Sequence, residues 1–239
     1  LFHRATLDHA IYACLGIVVT MLAAIALVVR PTAEVLGVGV ASLSIVAVYA
    51  AGSFAAFRLT TTARAAGTTV EMGDAAAHPV HAPGSLPRAL ASFAGAVAVI
   101  VLVAPRFAQV AEEVAVVTGL GTTFVGTWLV GLATSLPELV TSLAAVRLRA
   151  YDLAVGNLLG SNAINMTIFA LLDPVHRDGP VLAAAGPGHL LAALIVIGLM
   201  ATAVGVLVAQ SRRPADGGSR AGLLLVVGYV LGIVLLATR

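Results

Sequence analysis

Lysine is absent from this chain of 239 residues, so all 13 basic side chains are arginine, and charged residues of either sign make up only 10% of it. A soluble domain carries about 25%. Cysteine occurs once, at Cys14, which excludes an internal disulfide and leaves the redox compartment unspecified. The net charge of +2 is too small for a nucleic-acid footprint and reads better as an asymmetry between loops. What the chain has in excess is apolar surface: 60% hydrophobic residues and a mean hydropathy of +1.05. These values describe an all-α polytopic membrane protein. Arginine-only basicity with heavy use of alanine, valine and glycine matches a GC-rich bacterial genome, and hence an inner (plasma) membrane. The first residue is Leu1 rather than methionine, so an unusual start codon or a longer parent chain is expected.

A bilayer core of about 30 Å is crossed by about 20 apolar residues in a helix. Seven such segments are expected, at 9–29, 36–57, 89–117, 119–146, 152–172, 189–210 and 221–238. The first is not a signal peptide, because Arg30-Pro31 follows it in place of a small-residue cleavage site. The third is longer than a simple span, and its end, with Gln109, Glu112 and Glu113, is expected at the surface or against protein. Residues 58–88 are polar and turn-rich and read as a linker between two helices before (1–57) and five after (89–239). With alternating spans, nine arginines fall on one side of the membrane and four on the other. The arginine-rich side is cytoplasmic, which places the linker inside and the C-terminus outside.

An offset of 180 residues relates His9 to His189, Tyr49 to Tyr229 and Gly52 to Gly232. Each set sits on a span, a short arginine-containing loop and a second span. By the arginine count the two copies start on opposite sides of the membrane, the mark of an inverted repeat. Residues 9–57 and 189–238 are then the tails of two repeats, and 89–172 is the head of the second. The head of the first would precede residue 1.

The chemistry converges on Glu138, the one charged residue between Val114 and Val146. A carboxylate at membrane depth costs a few kcal/mol or more and is a functional site by default. Pro137 lacks an N–H and crowds the carbonyl of Ala133, so a kink or break is expected around 131–136, freeing carbonyls that protein, water or an ion must satisfy. Along 119–146 read as a helix, Thr134, Glu138 and Thr141 or Ser142 share one face, with Thr127 near it. On the next span Asn157, Ser161 and Asn165 form an i, i+4, i+8 stripe, and Gly156 and Gly160 allow close helix approach. Taken singly, such polar residues are more often helix glue. An all-oxygen cluster around a carboxylate suits hard cations such as Ca²⁺ or Na⁺. Asp152 reads as an interfacial helix cap and Asp173-Pro174 as a turn. The loop residues His78, His81 and His176 lack the helical spacing of a metal-binding pair.

At these residues the chain resembles the sodium/calcium exchanger family of cation/calcium antiporters. Ala133-Thr134-Ser135-Leu136-Pro137-Glu138, the linking Tyr151-Asp152-Leu153-Ala154-Val155 and Gly156-Asn157-Leu158-Leu159-Gly160-Ser161-Asn162-Ala163-Ile164-Asn165 are similar to the family's second-repeat motifs. The resemblance covers about 89–238, and 9–57 more weakly. It implies an inverted-repeat exchanger fold lacking the head of the first repeat, with transported Ca²⁺ and Na⁺ as substrates and no cofactor. It implies that Glu138 is the second repeat's cation-binding carboxylate and that Thr134 and Gly131 offer carbonyls. Ser135 and Ser161 would offer hydroxyls, and Asn165 would line the centre. Ala133 departs from the family's usual glycine. No second Thr-Ser-x-Pro-Glu segment occurs in 1–239, and one carboxylate is a poor site for a divalent ion. The chain is therefore expected to be the C-terminal portion of an antiporter, with a separate first-repeat chain as partner. The alternative is a truncated or accessory membrane subunit without transport of its own. An intramembrane enzyme is disfavoured, since no nucleophile–base pair and no histidine stands near Glu138 in the sequence.

Overall fold

The computed structural model of the chain describes residues 2–65, 86–119, 122–186, 188–212 and 218–237. His78, His81, most of the 58–88 linker and the side chains of Thr127 and Asp152 lie outside the described residues. The protein is an all-α membrane protein. Its helices are α1 (Phe2–Val29), α2 (Val40–Ala65), α3 (Leu86–Thr118), α4 (Thr122–Val125), α5 (Gly131–Thr134), α6 (Leu136–Arg147), α7 (Tyr151–Asn165), α8 (Phe169–Leu172), α9 (Val181–Ala184), α10 (Gly188–Arg212) and α11 (Gly218–Ala237). Among the described residues five helical stretches are long and apolar enough to cross a membrane, and Trp128–Thr134 with Leu136–Arg147 makes a sixth if taken as one broken span. Gly222–Ala237, expected as the seventh, is apolar but shorter.

Several element boundaries differ from those expected. Residues 36–39 do not begin a helix: a two-stranded antiparallel hairpin, β1 (Glu34–Val35) and β2 (Val38–Gly39), precedes α2. Its two turn residues, Leu36 and Gly37, have φ of 55° and 77°, the left-handed pair that closes a two-residue hairpin. The second helix runs on to Ala65, into the segment read as linker. A π-helical turn, Gly126–Val130, and a 3₁₀ turn, Met166–Ile168, interrupt two of the spans.

The chain forms two compact units, Leu1–Thr69 with Pro137–Arg239, and Val70–Leu136. In the first, α1 packs against α2, α7 and α10, and α10 against α11. Its core is Leu15, Val19, Ala23, Ala26, Ile45, Ala163 and Leu182. The small residues among them let helix backbones approach, as lipid-embedded packing requires. Large apolar side chains such as Phe54, Phe57, Leu223 and Leu224 point outward, where a lipid tail is as good a solvent as a protein core.

The 180-residue offset reappears in this packing. A Cβ placed on Gly52 would lie 2.5 Å from Leu15 Cδ1, and one on Gly232 would lie 2.6 Å from Ile195 Cγ2. Each hairpin of helices thus seats a branched side chain over a bare glycine, and both partners differ by the same offset as the glycines.

In the second unit, Ala111 and Ala115 of α3 pack on Val125, with Phe124, Leu129 and Val130 around them. The Phe124 and Trp128 rings stack at 6.2 Å.

Candidate cation site

The broken helix is the first element of the site. Ser135 stands between α5 and α6 with φ −91° and ψ −1°, in the sparsely populated bridge region. Its N–H donates to Gly131 O at 3.1 Å and Leu132 O at 3.2 Å, which closes α5 locally. Pro137 follows in the first turn of α6, where a missing N–H is tolerated. The break therefore falls inside the stretch in which proline chemistry places it, and Thr134 and Glu138 do not share one continuous helix.

The seven expected ligand residues are divided between the two units. Gly131, Thr134 and Ser135 belong to Val70–Leu136. There the Thr134 hydroxyl donates to Val130 O at 3.0 Å or Gly131 O at 3.1 Å, so the Gly131 carbonyl already receives local hydrogen bonds. Glu138, Asn157, Ser161 and Asn165 belong to the other unit.

Glu138 lies in the first turn of α6, where the helix dipole favours a negative charge. It is half-buried. Its Oε2 is buried and has no hydrogen-bond partner among the described residues. Such atoms are normally satisfied, and a carboxylate oxygen without a protein donor is a group that a cation can meet.

Facing it, α7 supplies Asn157. The amide Nδ2 lies 2.9 Å from Thr141 Oγ1, 3.1 Å from Ser142 Oγ and 3.3 Å from Glu138 O. Ser142 is 7% exposed and donates to Ala154 O at 3.5 Å. Thr141 donates back to Pro137 O at 2.9 Å or Glu138 O at 3.1 Å. Ser161 turns its hydroxyl onto Leu158 O at 3.2 Å, within its own helix. Asn165, the last residue of α7, is exposed. The structure thus joins Glu138 and Asn157 directly, while Ser161 and Asn165 hold the same helix as Asn157 without a hydrogen bond to Glu138.

Two residues of this unit were not assigned to the site from sequence. The His9 ring of α1 lies against Gly156, with Cε1 3.5 Å from where a Cβ would sit. No histidine was expected near this stretch, because α1 is remote in the chain and only the fold brings it to α7. Ser142 appeared only as an alternative to Thr141 on a helix face. Its burial and its bond across to α7 could not be read from spacing.

Among the described residues no three His, Cys, Asp or Glu side chains gather to hold a metal. The oxygens on hand are one carboxylate, hydroxyls and carbonyls, a set that suits a hard cation.

Comparison with known proteins agrees with the motifs. The chain is 31% identical over 115 residues to the inner membrane protein YrbG of Escherichia coli (strain K12), covering 46% of this chain and 32% of that protein. It is 41% identical over 75 residues to the sodium/calcium exchanger MaX1 of Methanosarcina acetivorans, covering 31% of this chain and 21% of that protein. The matched segments thus span a third or less of these relatives. No solved structure matches. The family described as sodium/calcium exchanger protein matches residues 88–238, which takes in the broken helix, Glu138 and the Asn157 stripe, and this integral membrane chain belongs to that family.

Proposed function

We propose that the chain is part of a secondary antiporter that moves Ca²⁺ or a similar cation against Na⁺ or H⁺ by alternating access, with Glu138 as its cation-binding carboxylate. The observation that carries this reading is the unpartnered, buried Oε2 of Glu138 in the first turn of a broken membrane helix. A structural helix contact needs no carboxylate there, and an ion supplies the missing counter-charge. Discontinuous helices flanking a polar stripe are the usual setting for ion sites in secondary transporters. The likeness to MaX1, a sodium/calcium exchanger, supports the choice of ions.

Calcium takes six to eight oxygen ligands, and the described residues of this site offer one carboxylate. That observation favours completion of the site by a second acidic segment, with the chain alone acting as a subunit that does not transport. The test is Na⁺-driven Ca²⁺ uptake into vesicles containing the chain joined to, or mixed with, a first-repeat segment. Uptake is expected to fall to that of protein-free vesicles with Glu138→Gln. Unchanged uptake would remove Glu138 from the site.

A further inference from the structure

We propose that Asn157 acts through its amide nitrogen as a clamp between α6 and α7. It positions Glu138 and does not meet the cation as a ligand. This inference rests on the reading of Glu138 given above.

The proton inventory of the cluster fixes the amide's orientation. Thr141 has one hydroxyl proton, and Pro137 O and Glu138 O, at 2.9 and 3.1 Å, are its acceptors. Its oxygen can therefore only accept from Asn157. Ser142 has one proton, for which Ala154 O at 3.5 Å is an acceptor, and its oxygen is then left to accept from the amide. Glu138 O is a carbonyl. With both hydroxyl protons directed to main-chain carbonyls, the N–H bonds of Nδ2 are the donors for the Thr141 and Ser142 oxygens and a further donor for Glu138 O. Turning the amide over would set Oδ1 against Glu138 O, a carbonyl with no proton to give, and would draw the Thr141 and Ser142 protons from their main-chain acceptors.

The contacts fall on the first turns of α6, and that helix starts immediately after the Ser135 break. Asn157 holds that turn at Glu138 and again at Thr141 and Ser142, across one helical turn. Ser142, through Ala154 O, ties the same α6 segment to α7 one turn earlier. Glu138 is thereby held in register with the helix that carries Ser161 and Asn165.

Replacing Asn157 by aspartate separates the two roles, because it keeps the oxygen and removes the donor. A ligand acting through Oδ1 would bind Ca²⁺ as well or better after gaining a charge. A clamp fails with aspartate as it fails with alanine. The chain joined to a first-repeat segment, in lipid nanodiscs, is titrated with ⁴⁵Ca²⁺, with Glu138→Gln as control. Asn157→Asp and Asn157→Ala are each expected to weaken binding about tenfold, as loss of a supporting contact to a metal ligand does. Asn157→Asp binding as tightly as the unmodified chain overturns the clamp.

Thermal unfolding supplies a readout independent of the ion. Asn157→Asp and Thr141→Val are expected to lower the melting temperature together by little more than either alone, since both break one hydrogen bond. Fully additive losses overturn the clamp. If the unmodified chain and Glu138→Gln bind Ca²⁺ equally, the cation reading fails and the thermal cycle alone decides the clamp.

Discussion

The carboxylate of Asp173 accepts a hydrogen bond from the backbone N–H of Gly39, 134 residues earlier in the chain, at 2.8 Å. Its other oxygen accepts from Val181 N–H at 2.9 Å. Asp173 is 3% exposed. It joins the start of α2 to the start of α9, so both oxygens meet N–H groups that no helix would otherwise satisfy. Gly39 permits the approach, since a Cβ there would lie 2.8 Å from Pro180 Cβ and 3.1 Å from the carboxylate itself.

Asp173→Ala leaves two N–H groups without acceptors and is expected to lower stability by about 2–6 kcal/mol, counting about 1–3 kcal/mol for each unsatisfied group. Asp173→Asn keeps one acceptor oxygen but turns an NH₂ toward the second N–H, so it should fall between alanine and the native residue. Melting followed by far-ultraviolet circular dichroism in detergent measures the order. Equal stability of all three proteins would show that the brace contributes nothing.

The paired glycines make a second prediction. Gly52→Ala and Gly232→Ala each gain helix propensity of about 1 kcal/mol but drive a methyl into a neighbour. At Gly52 that neighbour is the far end of Leu15, which can rotate. At Gly232 it is Cγ2 of Ile195, fixed to a β-branched carbon with one strongly preferred rotamer in a helix. Gly232→Ala is expected to be the more destabilising, by about 1–3 kcal/mol on the overpacking scale. Ile195→Ala in the same chain should relieve much of that loss. Thermal melts of the two single variants and the double variant settle the comparison.

The sequence showed the apolar spans because each is a long run without charge, and it showed the break because Pro137 acts on its own neighbours. It showed Glu138 because burial cost is a property of the residue type. The Leu36-Gly37 hairpin is not legible in the sequence, because the residues after it are as apolar as a helix start and its φ values depend on a turn rather than on composition. Asp173 reads as a turn residue in the sequence for a related reason. Its partners, Gly39 and Val181, are defined only once α2 and α9 are placed. The same holds for Asn157: spacing put it on a stripe, but only the positions of Thr141 and Ser142 show which end of its amide is engaged.

Leu36 offers a test of the hairpin. It has φ of 55° and is 98% exposed, so its side chain contributes no packing while its backbone occupies a region that costs an L-residue about 1–2 kcal/mol. Leu36→Gly and Leu36→Asn are expected to stabilise the hairpin by about 0.5–1 kcal/mol. Slower amide hydrogen exchange at Val38 and Gly39 would register the gain, and unchanged exchange would count against the turn.

The arginine count makes a prediction about the side of the membrane on which this hairpin sits. Nine arginines on one side against four on the other predict Leu36 outside and the α6–α7 turn inside. Cys14 is the sole cysteine and is exposed on α1, so Cys14→Ala gives a cysteine-free background with little packing lost. Leu36→Cys and Leu148→Cys, at positions 98% and 67% exposed, then report from the two faces. In intact cells a membrane-impermeant maleimide should label Leu36→Cys, and Leu148→Cys should react only after permeabilisation. The opposite pattern would invert the topology. It would also place the start of α7, and with it Asn157 and the first turns of the polar stripe, near the outer rather than the cytoplasmic surface.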